Sequence, residues 1–354
     1  MKKPTVIADR SDGRDNNFNL LRILAAAGVL FSHSFVLSLG TEGYEPLSQW
    51  LGKSLGSISV LVFFAISGFF ITRSFDRRRT LMRFVQARVF RIFPGLAIIL
   101  LLTVLIGGLV LTTAPDAVYW PASVGYFLHN LSLFSMQYEL PGVFETNPYG
   151  PPINGSLWTL SYEVLCYFGV VLCGLLGLFK RRGLFAVGMA AFLLVYAVSV
   201  LRGIHPRIDS LMQLGLPFMT GMAFYLWRER IRLSLPLAIA LVLVALLFRG
   251  TQFFDPVIAV TLSYAVFVIG YIQNPLMLAY NRLGDYSYGL YIYAFPIQQI
   301  VASNGITTPA INIMLALPAS LACAVMSWHF IEAPAMAFGR NLGRQNYAQS
   351  KSSY

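Results

Sequence analysis

Residues 18–39 read FNLLRILAAAGVLFSHSFVLSL, a run with one arginine, one histidine and no carboxylate. A helix needs about 20 mostly apolar residues to cross the hydrocarbon core of a bilayer, so this stretch alone reads as a spanning helix. Nine more runs of the same character follow, near 55–75, 92–113, 155–179, 184–202, 208–227, 234–249, 256–273, 286–303 and 309–331. The composition agrees: 56% of the 354 residues are hydrophobic and only 12% charged, when a soluble domain carries about 25% charged residues. Such a chain cannot coat a globular surface with polar groups. The expected fold is an all-α, polytopic membrane bundle of about ten transmembrane helices, with the lipid bilayer as its solvent. A disordered chain, a disulfide-stapled secreted domain and a nucleic-acid binder are excluded on the same grounds. Cys166, Cys173 and Cys323 lie within apolar runs and read as buried free thiols. The first seventeen residues are polar and basic, with no cleavable signal peptide.

The net charge of +11 reads as topology. With the N-terminus in the cytoplasm and sides alternating, the cytoplasmic segments hold Lys2, Lys3, Arg10 and Arg14, then Arg77, Arg78, Arg79, Arg83, Arg88 and Arg91, then Lys180, Arg181 and Arg182. They also hold Arg228, Arg230, Arg232, Arg282, Arg340, Arg344 and Lys351, against only Lys53, Arg202, Arg207 and Arg249 outside. That asymmetry is the positive-inside pattern for ten spans with both termini cytoplasmic. It divides the chain into a cytoplasmic segment 1–17, a transmembrane domain 18–335 and a cytoplasmic tail 336–354. The external segment 114–154, rich in aromatics and proline, is expected to lie on or dip into the outer interface, or to be a plain belt loop.

Ionisable groups inside spans are costly and rare, so each is a functional candidate. Arg22 and His33 are eleven residues apart, about three helical turns, so both project from one face with about 16 Å of rise between them. Glu163, in the span that begins INGSLWTLSYEVLCYF, lies at about the same depth below the outer surface as His33. A carboxylate within hydrogen-bond reach of an imidazole fixes its tautomer and favours the imidazolium formed in proton abstraction; the competing reading is an ion pair that only locks two helices. Arg88 and Arg91 stand one turn apart just before Pro94, a spacing that suits bidentate clamping of phosphate, or plain anchoring at the inner interface. Gly68 in FFAISGFF suits close helix packing. His129, His205 and His329 read as interfacial. Their spacing gives no metal motif, and the chain has no Walker loop and no GxSxG elbow.

Six landmarks in order make the chain resemble the acyltransferase-3 family of integral membrane O-acyltransferases, which acetylate carbohydrates. They are Arg22 with His33, FFAISGFFI (63–71), RVFRIFP (88–94), NGSLWTLSYEVLCYF (154–168), LGDYSYGLYIYAFP (283–296) and FIEAP (330–334). The resemblance covers about residues 16–335 and implies a cytoplasmic acyl-CoA donor, most often acetyl-CoA, with no metal. It implies His33 as the catalytic residue and the arginine pair as essential. On this reading Arg22, Arg88 and Arg91 hold the CoA phosphates, and Glu163 assists His33. Asn154, Trp158 and Ser161 are the candidate substrate-binding and oxyanion-stabilising residues near the acceptor, a carbohydrate or lipid-linked sugar at the outer side. The chain departs from many relatives in placing Tyr293, Ala294 and Phe295 before Pro296, where they carry a histidine. The rival expectations are a proton-coupled transporter or flippase using His33 and Glu163 as a relay, and a non-catalytic accessory of polysaccharide export.

Overall fold

The computed structural model describes residues 5–13, 15–77 and 80–352; the basic residues Lys2, Lys3, Arg14, Arg78 and Arg79 lie outside them. Each of the ten segments read from the sequence is helical. We number them α1 (Phe18–Leu39), α2 (Leu55–Arg77), α3 (Leu81–Ile106), α4 (Trp158–Leu175), α5 (Arg182–Arg202), α6 (Pro206–Leu226), α7 (Leu235–Leu247), α8 (Phe254–Gly270), α9 (Ser287–Ser303) and α10 (Pro309–Ser327). Among the described residues there is no β-strand, only an isolated bridge between Val6 and Arg232. Six of the helices, α1 to α5 and α10 with their short extensions, are long and apolar enough to cross a membrane by length and composition, and α7 and α8 are shorter apolar helices. The protein is an all-α polytopic membrane bundle.

Local chemistry sets the helix ends. Proline opens α6 and α10, where its missing N–H would have had no helical partner. The Ser234 side chain accepts from Leu237 N ahead of α7. Gly40 closes α1 at φ 77°, in the left-handed region that a C-terminal cap needs. α3 begins at Leu81 rather than near 92, because its first turns are amphipathic and basic, and hydropathy alone does not register them. The last helix runs on through a π-turn at Trp328–Glu332 into Ala333–Ser352, where the sequence suggested only a polar tail.

The centre of the bundle is built from α9 and from the crossing of α2 and α6. α9 is almost wholly buried, so its Tyr, Gln and Ser content has protein partners and it needs no lipid-facing apolar stripe. The Gln298 amide donates to Ser34 Oγ at 2.6 Å and Leu30 O at 2.8 Å on α1, and Asn312 of α10 donates to Gln298 O at 3.1 Å. α2 and α6 cross with their backbones in contact: a Cβ on Gly68 would lie 2.0 Å from Phe218 O. Gly68 is therefore a packing glycine, of the small-residue kind that lets membrane helices approach closely.

The segment 114–154, expected to be external, folds against the bundle. It carries a helix, Asp116–Ser132, whose Tyr119 and Tyr126 are buried, and Tyr119 donates to Val104 O at 2.8 Å. These tyrosines face protein instead of the headgroups. The rest of the segment is pinned over the outer end of α9, where Asn147 donates to Gln299 Oε1 at 2.8 Å and the Gln299 amide donates to Tyr149 O and Pro152 O at 2.8 and 2.6 Å.

Candidate active site

Helix direction places the chemistry at two ends of the bundle. The N-terminal halves of α1, α3, α4 and α9 and the middle of α2 surround a chamber of about 100 Å³, called inner after the expected topology and lined by Arg22, Ser67, Arg88, Arg91, Glu163, Tyr167 and Tyr288 among others. The opposite end of the bundle holds an outer chamber of about 230 Å³, lined by His33, Lys53, Ser156, Trp158 and Gln213 among others. Val60 and Tyr291 line both chambers and so form the wall between them. The Tyr291 hydroxyl lies 2.6 Å from Thr159 Oγ1 and donates to Ser156 O at 3.0 Å, which ties the wall to the start of α4.

In the inner chamber the three arginines are not equivalent. Arg91 donates to Asp285 Oδ2 at 2.6 Å and to Glu332 Oε2 at 3.4 Å, and stacks between Tyr288 and Trp328, with its guanidinium carbon 5.7 Å from each ring centroid. Arg22 reaches the same Asp285 oxygen at 3.6 Å. Burial alone would raise the Asp285 carboxyl, but Arg91, Arg22 and the Ser287 hydroxyl together hold it below the usual carboxylate range. Arg88 has no ion pair among the described residues, and its buried Nε has no hydrogen-bond partner. Its guanidinium carbon lies about 6 Å over the rings of Phe84 and Tyr167. Arg88 is thus the one of the three whose charge no carboxylate has claimed. Sequence reasoning missed Asp285 and Glu332, although the landmarks LGDYSYG and FIEAP carry them; a carboxylate beside a basic cluster was the signal.

Glu163 belongs to this inner chamber. Its Oε1 accepts from Ser67 Oγ at 3.0 Å and from Tyr167 OH at 2.5 Å. It makes no hydrogen bond with His33, contrary to the expected pair. The two do not share the depth expected of them: Glu163 stands level with Ser67 on α2, whereas His33 lines its chamber with Gly56, Ser57, Val60 and Leu61, roughly two turns nearer the other end of that helix. His33 Nδ1 is buried without a partner, and the ring packs edge-to-face on Phe295 at 5.2 Å. Gly155 permits that arrangement, because a Cβ there would stand 2.8 Å from the Phe295 ring.

Of the three acceptor candidates, only Trp158 lines the His33 chamber. Asn154 is a structural cap: its amide donates to Ile292 O at 2.9 Å and its carbonyl accepts from Ser156 N. Ser161 lines a separate lateral apolar cavity with Tyr138 and Arg207. Ser156, which the sequence reading passed over, lines the His33 chamber with its Oγ buried and unpartnered. The motif NGSLW carries both residues at the start of α4, and of the two it is Ser156 that lines the chamber. Among the described residues no group of three or more His, Cys, Asp or Glu could hold a metal ion.

Comparison with known proteins places this architecture. Residues 15–329 match the acyltransferase-3 family model, described as an acyltransferase domain. An O-acetyl transferase of Shigella phage Sf6 is 28% identical over 340 residues, spanning 90% of this chain and 95% of that protein. Nodulation protein 10 of Rhizobium leguminosarum bv. viciae is 33% identical over 192 residues, 52% of this chain and 51% of that protein. No solved structure matches. An all-helical membrane bundle with an imidazole at one end, an arginine cradle at the other and a family match across most of its length belongs to the acyltransferase-3 family, and the chain is a membrane acyltransferase.

Proposed function

We propose that the protein moves an acyl group, acetyl in the first instance, from cytoplasmic acyl-CoA to a hydroxyl of a carbohydrate or lipid-linked sugar at the outer side of a bacterial inner membrane, with both chain termini cytoplasmic. The observation that carries this reading is the pair of chambers set end to end, with Arg88 unclaimed in one and the His33 imidazole unpartnered in the other. CoA is charged at its nucleotide end and slender and mostly uncharged along its pantetheine arm. Arg88 binds phosphate at the inner mouth. Arg91 and Arg22, held by Asp285 and Glu332, add positive potential and keep the cradle in shape. The arm reaches past Val60 and Tyr291, bringing the thioester to the outer chamber.

There His33 takes the proton of the acceptor hydroxyl as the oxygen attacks the thioester carbonyl. The tetrahedral oxyanion accepts a hydrogen bond from Ser156 Oγ, a buried donor with no other partner. When the C–S bond breaks, the imidazolium returns its proton to the departing thiolate, which balances charge and protons. Glu163, in contact with Ser67 and Tyr167, acts on the electrostatics of the inner chamber and of Arg88, and is a positioning residue. The proton-relay reading needs His33 and Glu163 in contact, which they are not. The test is release of free CoA from acetyl-CoA by purified protein in nanodiscs, with and without saccharide acceptor. Acceptor-dependent release with label in the sugar is the expected result. No transfer to any acceptor, together with proton-driven flux in liposomes, would overturn the proposal.

A further inference from the structure

The outer face holds a second, separate cavity of about 490 Å³ between the outer ends of α5, α6 and α8. Its polar lining comes mainly from Tyr196, Ser199, Asp209, Gln213, Gln252 and Asp255. Gln213 also lines the His33 chamber. Lys53, another lining residue of that chamber, donates to Asp255 Oδ1 at 2.8 Å. The bowl and the reaction chamber therefore adjoin across Gln213 and the Lys53–Asp255 pair.

The chemistry of the bowl is selective. Ser199 Oγ and Ile204 N donate to Asp209 Oδ1 at 2.5 and 3.2 Å, which fixes that carboxylate at the rim. The Gln213 and Gln252 amides make no hydrogen bond among the described residues. Carboxylate acceptors beside amide donors, with a tyrosine in the wall, match the vicinal hydroxyls of a sugar, each of which donates and accepts. The Asp209 carboxylate, in no ion pair among the described residues, repels phosphate, Lys53 being already paired with Asp255, and the polar lining is costly for a hydrocarbon chain to cover. The volume falls in the range of about 300–1,000 Å³ typical of small-molecule sites.

We infer that this bowl is a glycan subsite, holding the sugars next to the one acylated, so that the true acceptor is an oligosaccharide and not a single sugar. The inference rests on the carbohydrate-acceptor reading above. Its test uses the source strain's own surface polysaccharide, stripped of acyl groups with mild base and fractionated into single sugars and fragments of three or more. Gln252→Ala removes one amide, and Val200→Trp fills the bowl from α5 at an exposed position; size-exclusion profiles confirm that both variants fold.

For fragments of three or more sugars, Gln252→Ala should raise KM about threefold to tenfold, the effect of one lost hydrogen bond, with kcat unchanged. Val200→Trp should raise it further, and single sugars should be acylated by both variants as by the unaltered protein. Equal KM values for long fragments in all three proteins overturn the subsite, as does an equal loss for single sugars. If no fraction is acylated at all, the function reading fails, and the subsite is then judged by saturation-transfer NMR with the same fragments. Fragment signals that persist in Val200→Trp overturn it; signals lost there and kept in the unaltered protein support it.

Discussion

Replacing Arg91 with alanine removes the only cation among the described residues that contacts both Asp285 and Glu332. The Glu332 side chain is fully buried and that of Asp285 is 13% exposed, so the substitution leaves one carboxylate with no ion pair and the other with only Arg22 at 3.6 Å. Breaking a buried pair by removing one partner costs about 3–5 kcal/mol, a large part of the margin of most folded proteins. Arg88→Ala strands no carboxylate in an ion pair. It should instead weaken acyl-CoA binding by one charge-assisted hydrogen bond, about 1.5–3 kcal/mol or roughly ten- to 150-fold in Kd. The two variants should separate cleanly: Arg91→Ala loses its monodisperse size-exclusion peak on mild heating, whereas Arg88→Ala keeps the peak and loses affinity for acyl-CoA by isothermal titration. Lysine at 88 should restore binding in part, since it keeps the charge without the planar fork. The reasoning is refuted if Arg91→Ala melts like the unaltered protein, or if Arg88→Ala binds acyl-CoA normally.

Three further outcomes are expected. His33→Ala should abolish transfer while acyl-CoA still binds, because the proposed phosphate site at Arg22 lies about 16 Å of helix rise away; near-normal turnover would remove His33 from the mechanism. Ser156→Ala should lower kcat about 100-fold with KM for acyl-CoA unchanged, the signature of a lost oxyanion donor, whereas Ser161→Ala should have little effect in the same assay. Because Asp285 is held below its usual value, its ion pairs contribute stability that is fully present above the ordinary carboxylate range and is lost only as pH falls through the depressed folded value. Asp285→Asn should remove that acid limb from a stability-versus-pH curve, and an unchanged limb would mean that other carboxylates set it.

The spans were legible because hydrocarbon solvation acts on each segment separately: long apolar runs such as 55–75 and 184–202 announce themselves whatever they pack against. α6 and α9 were also found, although protein covers them and their polarity dilutes the signal. The helix at Asp116–Ser132 escaped because its Tyr119 and Tyr126 resemble an interfacial belt, and only the carbonyl of Val104 shows where one of them points. At the site, periodicity put Arg22 and His33 on one face and named the arginine turn, since those are properties of single helices. Whether His33 meets Glu163, and which carboxylates claim Arg91, depends on how far helices slide and turn against one another, which counting residues along each helix alone does not give. Asn154 and Ser156 differ by two residues and one hydrogen bond, a distinction that only the Ile292 carbonyl reveals.

The wall of Val60 and Tyr291 has an electrical consequence. In the orientation proposed here it is what separates two watery compartments across an energised bilayer, and a charge crossing it would dissipate about 2.3 kcal/mol for every 100 mV. An acyl group is neutral and can be handed across without moving charge. A continuous file of water from Arg88 to His33 would conduct protons at every moment the enzyme was idle. The Tyr291 hydroxyl, closed onto Thr159 and the Ser156 carbonyl, plugs that file with a side chain whose own polar group is already satisfied. Cells expressing Tyr291→Gly should therefore leak protons and lose membrane potential whether or not acyl transfer survives, so the residue serves as insulation as much as architecture.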